Sequence, residues 1–220
     1  MLQLWENAET EYFLGVKVYA FGLYCALGAA LGLIALALLL RRRRWKQGTA
    51  ALTGVLAILC GFALSHGLFC LLARSVPWPL GLGGLLILNG GGHSMVGALA
   101  GACLGGVLAA KITRQSPARL LDFLAPALML FVACERLGEG YIEDFGISRP
   151  LVGNLFKGSF LAVQGPYAWY LATYLVESFA ALALATALLR DENESRRPGD
   201  TFLLCLRKSL SIQKEPLQML

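Results

Sequence analysis

Between Glu135 and Asp144 five of ten side chains are charged: Glu135, Arg136, Glu139, Glu143 and Asp144. They follow directly on an apolar stretch that ends at Cys134, and ionisable groups at membrane depth are costly enough that a cluster of them points to a water-filled, working cavity. A guanidinium there can fork onto two oxygens of a phosphate, and a nearby carboxylate can take a proton. If helix continues past Cys134, Arg136, Glu139, Gly140 and Glu143 share one face by i, i+3, i+4, i+7 spacing. The plain alternative is a solvated loop whose charges neutralise one another, and the residues alone divide the two evenly.

A second stretch with chemical potential runs from Leu88 to Gly101 and contains Gly91, Gly92, His93, Ser94 and Gly97. Consecutive glycines permit a helix break or close approach of backbone N–H groups to a ligand. Gly97 and Gly101 also form a G-x-x-x-G pair, for which close helix packing is at least as good a reading. The six cysteines, Cys25, Cys60, Cys70, Cys103, Cys134 and Cys205, form no C-x-x-C pair and fall in or near apolar runs. They read as small apolar fillers, with no metal, disulfide or other cofactor implied.

The elements that must position these residues follow from composition. Of 220 residues 57% are hydrophobic and 15% charged, with a mean hydropathy of +0.62. A water-soluble chain has about 25% charged residues. The apolar residues are gathered into runs long enough to cross about 30 Å of hydrocarbon: Val18 to Leu40, Thr49 to Ala73, Gly81 to Ala110, Phe123 to Cys134 with its flanks, and Pro166 to Leu189, which encloses Glu177. Backbone groups in lipid must be satisfied within the segment, so each run is expected to be helical. The fold class is all-α, a polytopic transmembrane bundle of about five spans. The first run is not a secretory leader, because its basic residues follow the apolar stretch and no small-residue cleavage site comes after it.

Lysine and arginine orient the bundle. With the N-terminus outside, the inner loops hold Arg41, Arg42, Arg43, Arg44, Lys46, Lys111, Arg114, Arg119, Arg190, Arg196, Arg197, Arg207, Lys208 and Lys214, leaving only Lys17, Arg74, Arg136, Arg149 and Lys157 outside. The net charge of +5 is then anchoring against anionic headgroups of the lipid bilayer. No nucleic acid is implied, since basic residues interleaved with aromatics are absent.

Three sequence elements in order resemble the prolipoprotein diacylglyceryl transferase family of the bacterial plasma (inner) membrane. They are Gly91-Gly92-His93-Ser94-Met95-Val96-Gly97-Ala98-Leu99-Ala100-Gly101, Asp122-Phe123-Leu124-Ala125-Pro126, and Arg136-Leu137-Gly138 leading to an acid and Gly146. Leu175-Val176-Glu177 and the stretch from Tyr19 to Gly28 add to the likeness, which covers about residues 15 to 205. The resemblance implies transfer of diacylglyceryl from phosphatidylglycerol to the lipobox cysteine of a prolipoprotein signal peptide. It assigns Arg136 to the donor phosphate and Glu177 to bracing the site. The following acid is Glu143 if one residue is missing before Gly146, and Asp144 otherwise. Gly91, Gly92, Ser94, Gly97 and Gly138 are implied as substrate-side positions.

The chain also departs from that pattern. Val96 stands where the family has histidine or tyrosine, and His93, about one helical turn earlier, is the candidate replacement. His66 stands where the family has an arginine near the end of the second helix. The expected organisation is a membrane domain over residues 1–206 and a polar tail over 207–220, where the family continues into a last helix. A truncated or frame-shifted gene and a minimal relative would each produce that ending. An inactive relative and a small transporter are the competing readings, the latter without an internal repeat to support it.

Overall fold

A computed structural model describes residues 10–13, 16–46, 48–72, 94–139, 162–164, 169–190, 198–205 and 207. Among these residues five long helices carry the architecture: α1 Ala20–Arg42, α2 Thr49–Leu72, α3 Met95–Thr113, α4 Pro117–Glu139 and α5 Thr173–Arg190. Two short antiparallel hairpins accompany them, β1 Thr10–Phe13 with β2 Val16–Tyr19 and β3 Ala162–Gln164 with β4 Trp169–Leu171. The all-α polytopic architecture expected from the apolar runs is what the chain adopts. Among the described residues four helices are long and apolar enough to cross a membrane, over Phe21–Arg42, Thr49–Phe69, Met95–Thr113 and Thr173–Arg190. The fourth expected run grows at both ends into α4, whose 23 residues span about 34 Å and place Arg119 and Asp122 near one end and Glu135 and Arg136 near the other. Leu23, Leu59, Leu71, Ile112 and Phe179 are all more than half exposed, which suits helix faces solvated by acyl chains.

The helix boundaries differ from the apolar runs where local chemistry intervenes. Val18 belongs to β2, and the fifth run contains β4 before α5 starts at Thr173. Both hairpins are rich in aromatic and β-branched residues, TEYF against VKVY and AVQ against WYL, which favour extended backbone. Of the third run only the part from Ser94 onward lies within the described residues. Ser94 is extended, and its side chain accepts the Gly97 N–H as the cap of α3, relieving one of the orphan donors at a helix start. A helix face shared by His93 and Val96 would need α3 to begin earlier than Met95.

The chain divides into two compact units. The first contains Met1–Ile34, Ala125–Arg196 and Leu203–Leu220. Within it α1 and α4 approach closely through glycines. A Cβ on Gly28 would lie 2.9 Å from Cys134 Cβ, and one on Gly32 would lie 2.8 Å from the Ala127 carbonyl oxygen. Helix α5 is tied to α4 by a buried hydrogen bond of 2.7 Å from Ser178 Oγ to the Ala133 carbonyl.

The second unit contains Ala35–Leu124 and Arg197–Phe202. Its centre is the α2–α3 seam, where Gly97, Gly101 and Gly105 lie directly on the α2 backbone at Leu64–Ser65, Cys60–Gly61 and Leu56–Ala57. Such contact needs residues without Cβ, because lipid supplies no hydrophobic drive between helices and close packing must do the work. At the seam's end Ser65 Oγ donates to the Ser94 carbonyl at 2.9 Å, and the Ser94 N–H donates back to the Ser65 carbonyl at 3.2 Å. Near the other end Trp45 and Phe123 meet edge to face with centroids 5.3 Å apart. Asp122 accepts from the N–H groups of Gly199 and Phe202 at 2.7 and 2.8 Å. It thereby caps the helical turns at 200–205 from a different helix.

Candidate active site

Arg136 stands in the last turn of α4, where the negative end of the helix macrodipole favours a cation. Its Nε lies 3.1 Å from Glu177 Oε2 in the second turn of α5, and 3.5 Å from Oε2 of the adjacent Glu135. Both are ion-pair contacts, the first short enough to lie within hydrogen-bonding distance. The side chains of Arg136, Glu177 and Glu135 are only 15%, 20% and 11% exposed. Charges withdrawn this far from water persist only when partnered, so the three stand or fall together. Engagement through Nε aims the guanidinium edge carrying Nε at the carboxylates. That turns a planar five-donor group so that its plane is set by the protein.

The packing beneath the pair explains its position. Gly138, one of the expected substrate-side positions, is buried, and a Cβ there would lie 3.0 Å from Tyr24 Cβ and 3.1 Å from Phe21 Cδ2. It lets α1 close on the last turn of α4, which leaves the facing side of Arg136 to α5. Ser178, next to Glu177, sets the height of α5 through the Ala133 carbonyl.

Of the residues singled out in the sequence, Arg136 and Glu177 are brought together in the first unit, with Gly138 packed below them. Helix α4 does continue past Cys134, as far as Glu139. Gly140, Glu143 and Asp144 lie outside the described residues, as do Gly91, Gly92 and His93. Ser94 and Gly97 belong to the second unit, Ser94 as the cap of α3 and Gly97 in the α2–α3 seam, so for Gly97 the packing alternative describes its surroundings. His66 is buried on α2 in the same unit. No group of three metal-ligating side chains occurs among the described residues.

Sequence reasoning passed over Ser178, Ser65 and the capping role of Asp122. Ser178 had a faint signal, a serine beside the only acid of the last apolar run. The partners of all three residues are far along the chain, up to 80 positions away for Asp122, and no local pattern reports such distances.

The sequence model described as prolipoprotein diacylglyceryl transferase matches residues 11–207. The chain belongs to the prolipoprotein diacylglyceryl transferase family. A Bacillus licheniformis protein named phosphatidylglycerol–prolipoprotein diacylglyceryl transferase is 28% identical over 201 residues, covering 86% of this chain and 72% of the relative. As a member of this family the chain is a multi-pass membrane transferase. Its family match extends from the β1–β2 hairpin through α5 to the capped turns at 200–205, so it takes in the second compact unit and all but residues 1–10 and 208–220 of the first.

Proposed function

We propose that this chain transfers the diacylglyceryl group of phosphatidylglycerol to the lipobox cysteine of a prolipoprotein in the bacterial plasma (inner) membrane. The observation that carries this reading is Arg136, a guanidinium among apolar helices, oriented by Glu177 at 3.1 Å and well withdrawn from water. A cation so held suits a phosphodiester whose leaving oxygen gains charge as the bond breaks, since preoriented donors in a low-dielectric site stabilise developing charge strongly.

In the reaction the cysteine sulfur, as thiolate, attacks the terminal glyceryl carbon of the donor. A C–S bond forms, the C–O bond to phosphate breaks, and the electron pair leaves with the oxygen as glycerol phosphate. The thiol proton passes to the acid that follows Arg136 in the sequence, Glu143 or Asp144. Arg136 neutralises the departing phosphate, and Glu177 keeps the guanidinium in the plane that receives it. Both substrates are held in the bilayer, so they reach a site at helix ends by lateral diffusion.

The proposed orientation places the N-terminus outside, with Arg136 near the outer leaflet and the Arg41–Arg44 run on the cytoplasmic side against anionic headgroups. Residues 1–206 are proposed as the transferase domain and 207–220 as a polar tail. The test is complementation of a strain depleted of its own transferase, read as lipidation of a reporter prolipoprotein. Wild type is expected to restore lipidation and Arg136→Ala to abolish it. A wild-type chain that inserts normally and restores nothing would make it an inactive relative.

A further inference from the structure

We infer that Ser178 is a positioning residue of this enzyme, whose hydrogen bond to α4 fixes the register in which Glu177 can orient Arg136. The inference rests on the proposed reading of Arg136 as the phosphate-binding group.

Two contacts join the same stretches of two helices. Ser178 Oγ donates to the Ala133 carbonyl at 2.7 Å, fully within the protein, and Glu177 Oε2 meets Arg136 Nε at 3.1 Å. Glu177 and Ser178 are consecutive, so their side chains leave α5 about 100° apart. Ala133 and Arg136 are three apart and share one face of α4. One contact alone would leave α5 free to rotate about it or slide along it. The pair removes both freedoms, because the serine bond fixes the height of α5 on α4 and the ion pair fixes its rotation.

The ion pair cannot do this by itself. Glutamate and arginine side chains are long and can follow a shift of an ångström or more while keeping their charges together, whereas the short serine side chain reaches a backbone oxygen from only one helix position. A slid α5 would therefore still hold Arg136, but with the guanidinium plane turned away from the donor phosphate. The Ala133 carbonyl has two lone pairs and lies within a helix, so removing the hydroxyl leaves no orphaned acceptor. Ser178→Ala should consequently disturb geometry more than stability.

The test uses the full-length protein in mixed micelles containing phosphatidylglycerol, with a lipobox peptide as acceptor, and compares wild type, Arg136→Ala, Glu177→Ala, Ser178→Ala, Ser178→Thr and the Glu177→Ala/Ser178→Ala double variant. A single interhelical hydrogen bond in a membrane protein corresponds to about a three- to tenfold change in an equilibrium. Ser178→Ala is expected to raise KM for phosphatidylglycerol by about that factor and to lower kcat with it, with the melting midpoint little changed. Ser178→Thr, which keeps the hydroxyl, restores KM. In the Glu177→Ala background the serine substitution adds nothing, since there is no longer an oriented pair to lose. An unchanged KM in Ser178→Ala, or effects of the two substitutions that simply add, overturns the inference while leaving the transferase reading intact. Where wild type transfers nothing, that reading fails instead, and binding of spin-labelled phosphatidylglycerol to the same variants decides the inference. The same order of Kd values supports it, and Kd values equal for wild type and Ser178→Ala overturn it.

Discussion

Replacing Arg136 by alanine removes a cation from a cluster in which Glu177 and Glu135 lie 3.1 and 3.5 Å from its Nε. At an effective dielectric of about 20 each contact corresponds to about 5 kcal/mol of gross attraction. Most of that is offset by the desolvation of three side chains no more than 20% exposed, so the pair contributes little net stability relative to apolar residues. Breaking it is different, because two little-exposed carboxylates then lose the cation that lies 3.1 and 3.5 Å from them. Arg136→Ala should destabilise the folded protein by about 3–5 kcal/mol. Adding Glu177→Gln removes one of those two charges and should restore about 2 kcal/mol. Transfer should respond otherwise: with the guanidinium gone the leaving phosphate is unsupported, and both variants should fall at least about a hundredfold below wild type. The assay pairs thermal unfolding in detergent with transfer to a lipobox peptide on the same preparations. If Arg136→Ala melts like wild type, the buried cluster does not carry the electrostatics assigned to it. If the double variant recovers transfer along with stability, Arg136 acts on folding alone and the mechanism is refuted.

Other sites give independent checks. Gly101→Leu drives a side chain into the Cys60 carbonyl and should cost more than about 3 kcal/mol, whereas Gly22→Ala, with nothing within 4 Å, should be neutral or stabilise by up to about 1 kcal/mol; both are read by unfolding in detergent. Asp122→Ala strips the acceptors from the Gly199 and Phe202 N–H groups, should cost about 2 kcal/mol, and should open residues 198–205 to protease without moving Arg136. A phosphatase reporter fused after Gln115 should stay inactive and one fused after Gln164 should be active, the reverse pattern contradicting the proposed orientation.

The expected apolar runs agree closely with the helices where lipid is the only consideration. Thr49 to Ala73 became Thr49–Leu72, because a run of uncharged residues bounded by charge or glycine has no better solution in hydrocarbon than a helix of that length. Agreement failed at the interfaces. There, aromatic and β-branched residues such as those of TEYF and WYL pair as hairpins, and Ser94 caps α3 at a position that hydropathy alone does not mark. Helix α4 extends beyond its apolar centre because Pro117 is a favourable first helical residue and because Arg136 near its far end pairs with Glu177 of α5. Arg136 was legible as a candidate site residue from its charge at membrane depth. Its partnership with Glu177 was only implied, since 41 positions of chain separate them.

The sequence by itself determined that this chain spans a membrane, which runs of it do so and where its few ionisable residues stand, because these follow from the cost of polar groups in hydrocarbon, a term that acts residue by residue. Tertiary structure alone decided which of those residues meet. Whether Gly97 lines a cavity or a helix seam, whether Asp122 is an idle charge or a cap for a distant helix, and whether Glu177 reaches Arg136 are settled by helix register. Register is set by close contacts such as Ser178 to Ala133, whose energy depends on distances between segments far apart in the chain and leaves no trace in local periodicity.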